Sequence, residues 1–268
     1  MATVDVPLER IRFGQTKRRD LWWAMPLTTF TVFTAFIVYV TWALLQGDHY
    51  HYGNYLSPLY SPELFGDSPH ALFGPWRWPW PIPFLRYSPA MLILIFPLSF
   101  RLTCYYYRGA YYKAFWADPV ACAVGEPRDE YRGEKKWPLV VQNIHRYAFY
   151  ATIPIVVFLT IDAINGFRFN DPATGHLKFG IGIGSLVLLM NVVLLGGYTF
   201  GCHAFRHLVG GILDTMSRSP GRKKAYDCVS CLNRHHPKWA WFSLVWVAST
   251  DVYIRLCSMG IIRDLRIL

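Results

Sequence analysis

Five long apolar runs constrain this chain more than any other feature. Each has about 20 residues, the length of helix that crosses roughly 30 Å of hydrocarbon. The sequence therefore predicts an all-α fold, a polytopic membrane helix bundle with five transmembrane helices in a single integral-membrane domain, 1–268. The predicted spans cover residues 21–45, 89–107, 139–164, 179–208 and 239–262.

The composition supports a membrane protein. Charged residues make up 16% of the chain, whereas soluble domains have about 25%. The net charge of +10 alone would also suit a nucleic-acid partner. The basic residues, however, lie between the apolar runs, a pattern typical of proteins oriented in a bilayer. The sequence thus predicts membrane lipid as a partner and no nucleic acid.

The distribution of Lys and Arg predicts the orientation. The N-terminal tail and the loops after the second and fourth spans share one side of the membrane and hold 18 of the 27 basic residues. Six lie on the other side and three lie within spans. Because cytoplasmic loops carry the excess of basic residues, we expect a cytoplasmic N-terminus and a C-terminus outside.

Residues 201–239, between the last two spans, concentrate cysteine and histidine. Cys228 and Cys231 have the spacing with which two thiolates grip one metal ion, and His203 and His207 share a helix face. Two cysteines with two histidines suit structural zinc, and they also suit a Rieske-like iron–sulfur (2Fe-2S) cluster. These residues could also be ordinary buried or interfacial ones. The candidate metal ligands are Cys202, His203, His207, Cys228, Cys231 and His236.

The positions of the histidines limit haem binding. The first two predicted spans contain no histidine, and five histidines lie at one depth near the cytoplasmic side. Two haems at two depths are therefore not expected. One haem b, with His145 facing His203 or His207, remains an alternative to the iron–sulfur centre.

Charged residues within spans need partners, because isolated charges in a bilayer are costly. Asp251 and Arg255 are four residues apart, so they are predicted to pair on one helix face, with a proton path or a ligand contact as the alternative. Arg101 lies near the cytoplasmic end of the second span. It could extend toward the membrane surface or hold a quinone carbonyl.

Several stretches carry a family resemblance: SFRLTCYYYRGAYYKAFW, DPVACAVGEPRDEYRGE, QNIHRYAFY, YTFGCHAFRHLVGG and TDVYIRLCSMG. Together they resemble the membrane-anchor (cytochrome b-like, C) subunit of actinobacterial-type succinate dehydrogenases, from about residue 101 to the C-terminus. The resemblance implies a protein of the bacterial cytoplasmic membrane that holds a flavoprotein subunit and an iron–sulfur subunit at the cytoplasmic face. It also implies electron transfer from succinate to a quinone of the menaquinone or ubiquinone type.

On this interpretation, Arg101, His145 and Arg146 are the candidate quinone-binding residues. Their polar groups would bond the quinone oxygens, and the histidine would supply protons. Electrons would pass through the iron–sulfur centre or the single haem. Two other classes stay open: a non-redox polytopic protein with a structural zinc site, and a transporter. No inverted repeat supports a transporter. A higher oligomer is compatible with the sequence.

Overall fold

The computed structural model describes residues 12–75, 90–117, 120–128, 136–137, 139–170, 175–211 and 214–268, which are mostly helical. The α-helices are α1 (Ala24–Gln46), α2 (Ala90–Leu102), α3 (Tyr105–Tyr111), α4 (His145–Asn165), α5 (Ile183–Phe200), α6 (His203–Gly210), α7 (Pro220–Arg234) and α8 (His236–Ser258). A π-helical turn covers Tyr112–Trp116, and two 3₁₀ turns cover Leu139–Ile144 and Met216–Arg218. Two antiparallel hairpins pair β1 (His51–Tyr52) with β2 (Tyr55–Leu56) and β3 (Arg168–Asn170) with β4 (Leu177–Phe179).

Three helices are long and apolar enough to cross a membrane: Ala24–Gln46, Val140–Asn165 and Ile183–Phe200. A fourth candidate is the pair Ala90–Leu102 and Tyr105–Trp116, which passes the same test as one bent span. The described residues thus contain three to four candidate spans. The predicted class, a helical membrane protein, is confirmed at that level.

The second predicted span, 89–107, is not one helix. Helix α2 ends at Leu102, and α3 begins at Tyr105. Between them the backbone of Cys104 is extended, with φ −62° and ψ 131°. An extended residue interrupts the i to i−4 hydrogen bonds that a continuous helix needs. Residue 89 itself lies outside the described residues.

Two other predicted spans also differ from the helices observed. The range 179–208 is divided, because α5 ends at Phe200 and α6 begins at His203 after a break. The fifth predicted span corresponds to α8, which carries Asp251 and Arg255 and is not among the three apolar helices. The count of five spans and the orientation therefore stay predictions.

The chain forms two compact units, Met1–Ala35 with Leu102–Asn143, and Phe36–Arg101 with Ile144–Leu268. In the first unit, the N-terminal segment pairs with a later loop: Gly14 N donates to Gly125 O at 3.0 Å. Phe33 of α1 packs edge-on against Tyr107 of α3, with ring centroids 4.9 Å apart. The single-domain organisation stays a prediction.

Helices α4, α5 and α8 pack together in the second unit. Leu188 near the start of α5 shares a buried cluster with Ile254 near the end of α8. Leu195, two turns later in α5, packs against the cluster that contains Val247, two turns earlier in α8. The two helices are therefore antiparallel neighbours, and they form the frame on which the site described below is built.

The predicted ion pair in α8 is confirmed. Arg255 Nε lies 2.7 Å from Asp251 Oδ2, and the two side chains are only 3% and 0% exposed. The Tyr39 hydroxyl donates to Asp251 at 2.5 Å, Ser57 donates to its other oxygen, and Arg255 donates to Ala43 O at 2.9 Å. These bonds supply the additional partners that a buried ion pair requires.

Candidate functional site

Arg101, in the last turn of α2, is buried at 8% exposure. Its side chain contacts α8: Nη2 donates to Ser243 Oγ at 2.9 Å, and Nη1 donates to Ala240 O at 3.3 Å. Its guanidinium carbon also lies 4.6 Å from the ring centroid of Tyr198. A cation in a low-dielectric interior needs hydrogen-bond acceptors and aromatic faces of this kind around it.

His145 begins α4 and is 6% exposed. Its ring stacks on Phe100, with centroids 4.8 Å apart and planes inclined by 11°. Its Nε2 atom lies 2.9 Å from the sulfur of Cys202. His145 therefore joins α4 to α2 and to the break before α6.

Tyr198 of α5 extends this arrangement of rings. It packs edge-on against Phe100 at 5.3 Å and stacks on His236 of α8 at 5.0 Å. The side chains of His145, Phe100, Tyr198 and His236 thus form a continuous row of aromatic contacts. The row connects α4, α2, α5 and α8, and Arg101 lies over its third ring.

An apolar groove opens beside this row, between α2, α4, α5, α8 and the part of α1 that includes Phe36 and Val40. Its cavity volume is about 60 Å³, and the groove is open on one side. Arg101 is the charged residue in its lining, with Thr152, Tyr198 and Thr199 as the other polar ones. The remaining lining is mainly aliphatic and aromatic, from residues that include Leu94, Leu98, Ile155, Val156, Leu159, Leu195 and Val247. The groove therefore suits a long apolar molecule with a polar head.

The three predicted quinone-binding residues have different positions. Arg101 lines the groove, whereas His145 lies behind Phe100, which does line it. Arg146 is exposed, and the described part of the chain offers it no hydrogen bond or ion pair. Its position one residue after His145 turns its side chain by about 100° around the helix, because an α-helix has 3.6 residues per turn.

The six predicted metal ligands lie in three different settings. Cys202 and His236 are buried. His203 and His207 are exposed on α6, with ring centroids 4.5 Å apart. Cys228 and Cys231 are exposed on α7. Among the described residues, no group of three His, Cys, Asp or Glu side chains is arranged to hold a metal ion.

The sequence did not indicate Tyr198 or Ser243, two side chains that contact Arg101. Both lie in helices with apolar residues on most sides. A buried Arg in such a bundle requires polar or aromatic neighbours, but the sequence does not say which helix supplies them. That information comes from the packing of α2 against α5 and α8.

The comparisons with known proteins agree with this architecture. Residues 24–260 match the family model described as actinobacterial succinate dehydrogenase subunit SdhC. Among solved structures, the chain is similar to one in the "Mycobacterium smegmatis Sdh1 complex in the apo form". The two are 42% identical, the match covers 98% of each chain, and the TM-score is 0.84. Comparison with curated proteins gives no match. Since the family match spans most of the sequence, the chain belongs to the family of actinobacterial succinate dehydrogenase membrane subunits.

Proposed function

We propose that this chain anchors the soluble subunits of a succinate dehydrogenase. We also propose that its apolar groove binds the quinone that accepts the electrons of succinate. The observation that carries the proposal is the buried cation of Arg101 in a groove whose other described lining residues are uncharged. The aliphatic walls match an isoprenoid tail. The guanidinium end matches a carbonyl head group, as in other ligand sites that combine apolar walls with a few polar groups.

Arg101 would act by electrostatics. Reduction of a quinone to a quinol adds two electrons and two protons, and negative charge develops on the quinone oxygens before protonation is complete. A fixed positive charge in a water-poor groove stabilises that charge more strongly than it would in water. The bonds to Ser243 and Ala240 hold the guanidinium in place before the quinone binds.

His145 fits a positioning role better than direct contact with the quinone. Its ring covers one face of Phe100, and its Nε2 contacts Cys202. It thereby fixes the aromatic wall of the groove. A role for His145 in proton supply, and any role for Arg146 at the quinone, stay predictions.

Among the residues that the structure describes, no three His, Cys, Asp or Glu side chains are grouped to hold a metal ion, and the six predicted ligands stay a prediction. His145 and Cys202 are a buried pair of suitable chemistry, with Nε2 2.9 Å from the sulfur, and an iron–sulfur cluster takes four ligands. We therefore derive no step through a cluster or a haem. Both stay predictions of the sequence.

The soluble flavoprotein and iron–sulfur subunits are proposed to dock at the side that carries the basic N-terminal tail and the two basic loops. The bias of 18 Lys and Arg residues to that side supports a cytoplasmic position. In this topology α8 is the fifth span. Its internal Asp251–Arg255 pair makes that possible, because the two charges neutralise each other inside the bundle.

Substitution of Arg101 tests the quinone site. In the purified complex, Arg101→Gln should lower kcat/KM for quinone reduction by at least about tenfold, since a hydrogen bond to a charged group contributes about 1.5–3 kcal/mol. Reduction of a soluble dye by succinate should be unchanged, because it does not need the groove. Arg146→Gln removes the same charge at an exposed site and serves as the matched control.

Equal loss of quinone reduction in Arg101→Gln and Arg146→Gln would reject the site. Quinone reduction is compared only in complexes that retain dye reduction, because loss of both activities would indicate that the soluble subunits had dissociated. Ser243→Ala separates packing from charge: it removes one bond to Arg101 but keeps the cation, so its effect should be smaller than that of Arg101→Gln.

A further inference from the structure

A second, chemically different pocket lies between α6 and α7. Its cavity volume is about 150 Å³, and it is lined by His203, Arg206, His207, Gly210, Gly211 and Tyr226. Arg222 at the start of α7 closes one end of the helix pair, because its Nη2 and Nε donate to Val209 O of α6 at 2.8 Å and 3.1 Å. The pocket is thus held by two packed helices and not by a loose loop.

Arg206 is oriented by two contacts within the helix pair. Its Nε donates to Ser230 Oγ at 3.1 Å, and its guanidinium carbon lies 4.9 Å from the ring centroid of Tyr226. Within the described residues, its two Nη groups have no hydrogen-bond partner. A guanidinium that is held through Nε, with its outer N–H groups at a pocket, has the geometry that binds two oxygens of one phosphate.

The pocket also contains neutral side chains that can donate hydrogen bonds. The imidazoles of His203 and His207 lie on successive turns of α6 with centroids 4.5 Å apart, and Tyr226 contributes a phenol. Neutral imidazole and phenol each offer one hydrogen-bond donor. Gly210 and Gly211 leave the floor of the pocket without side chains, which gives an anion room to approach the rings.

The positive charge of Arg206 favours the binding of an anion in this pocket over the binding of a metal cation. Two histidines four residues apart on a helix would suit a divalent metal ion. However, the residues that line this pocket include no Asp or Glu, and they include Arg206. A metal ion would face the guanidinium without a compensating carboxylate, whereas a phosphate would be attracted to it.

The position along the chain indicates where the phosphate comes from. The pocket begins at His203, only three residues after the apolar helix α5 ends at Phe200. Helix α5 is a candidate membrane span, the end of a span lies at the level of the lipid head groups, and basic pockets at this level bind anionic lipids. We infer that the pocket binds a phosphate-bearing anion, with an anionic phospholipid head group as its source.

Lipid retention by the intact complex tests this inference. The complex with its soluble subunits is stripped of lipid in detergent and titrated with phosphatidylglycerol or with phosphatidylcholine of the same chain length, and bound lipid is counted by native mass spectrometry. The double variant Arg206→Gln, His207→Gln should bind phosphatidylglycerol about tenfold more weakly than the unmodified chain, the loss expected when charged hydrogen bonds are removed. Phosphatidylcholine binding should differ little.

Lys224→Gln is the matched control, because it removes one positive charge from an exposed position of α7 outside the pocket. Arg206→Lys keeps the charge but loses the planar donor pair, so it should give an intermediate affinity. If the double variant is too unstable to purify, the comparison of Arg206→Lys with Lys224→Gln decides the question.

Titration with inorganic phosphate, followed by phosphorus NMR, distinguishes the two sources of phosphate. Phosphate binding that depends on Arg206, without any selectivity for phosphatidylglycerol, would keep the anion site but assign it to a soluble phosphate. Equal lipid and phosphate binding in all variants would overturn the inference. So would release of the soluble subunits from the Arg206 variants alone, which would assign the pocket to a protein contact.

Discussion

The guanidinium of Arg101 lies over the ring of Tyr198, with its carbon 4.6 Å from the ring centroid. The same ring stacks on His236 on α8 and meets Phe100 edge-on. One tyrosine therefore carries the cation and joins three helices of the second unit. This arrangement makes the electrostatics of the groove depend on an aromatic face that the sequence did not identify as functional.

We expect Tyr198→Phe and Tyr198→Leu to differ sharply. Phenylalanine keeps the aromatic face, so kcat/KM for quinone reduction should stay within about twofold of the unmodified value. Leucine removes the face, and because a desolvated cation–π contact contributes about 2 kcal/mol, the loss should reach about tenfold or more. Steady-state kinetics of each variant, with a quinone and with a soluble dye as electron acceptor, measure these effects. Equal activity of the two variants would show that Arg101 does not depend on the ring.

The sequence predicted those features that local spacing determines. The pairing of Asp251 with Arg255 follows from four-residue spacing on a helix, and the structure confirms it. The apolar helices α1, α4 and α5 follow from long hydrophobic runs. The break at Cys104 was not predicted, because α2 and α3 both have apolar and aromatic residues, and only the extended backbone between them separates the two helices.

The candidate site was predicted only in part, because it depends on contacts between distant segments. Arg101 was identified as a charge within a span, but its partners lie about 100 and 140 residues later in the chain, at Tyr198 and Ser243. In helices with apolar residues on most sides, periodicity does not show which face meets a given neighbour. The spacing of Cys228 and Cys231 predicts a metal site, and this stays a prediction. In the structure both thiols are exposed on α7.

Removal of one partner of the buried ion pair should destabilise the complex. Asp251→Asn leaves Arg255 buried without a counter-charge, which typically costs about 3–5 kcal/mol. The double variant Asp251→Asn, Arg255→Gln removes both charges and should recover part of this loss. The stabilities of the single and double variants are compared by the midpoint of thermal unfolding of the purified complex, followed by tryptophan fluorescence. A double variant less stable than the single one would show that Arg255 is held by Ala43 and Asp48 independently of Asp251.

The exposed thiols should not hold a metal. In Cys228→Ser, Cys231→Ser, we expect the iron and zinc content per complex to equal that of the unmodified protein, because both side chains are exposed on α7. Cys202→Ser is the informative comparison, since this sulfur is buried 2.9 Å from His145 Nε2. Elemental analysis and the visible spectrum of each purified variant complex measure its metal content. Loss of one metal equivalent in the double variant would return Cys228 and Cys231 to the ligand set and would revive the structural zinc hypothesis.

Two neighbouring glycines of α5 should respond oppositely to the same substitution. A Cβ at Gly197 would lie 2.6 Å from Cε3 of the Trp239 ring, whereas a Cβ at Gly196 would meet nothing closer than Phe200 at 4.0 Å. Gly197→Ala should therefore destabilise the packing of α5 on α8 by about 1–3 kcal/mol through steric overlap. Gly196→Ala should be neutral or stabilising by up to about 1 kcal/mol, because alanine is the better helix former.

Thermal unfolding of the two alanine variants, measured side by side in the same detergent, tests this close approach. The pair controls for helix propensity, since both substitutions add one methyl group to adjacent positions of one helix. Trp239→Phe combined with Gly197→Ala should restore part of the lost stability, because the smaller ring leaves room for the methyl group. If Gly197→Ala were as stable as Gly196→Ala, the antiparallel contact of α5 with the start of α8 would be looser than the structure shows. The row of rings from His145 to His236, which depends on that contact, would then not be fixed.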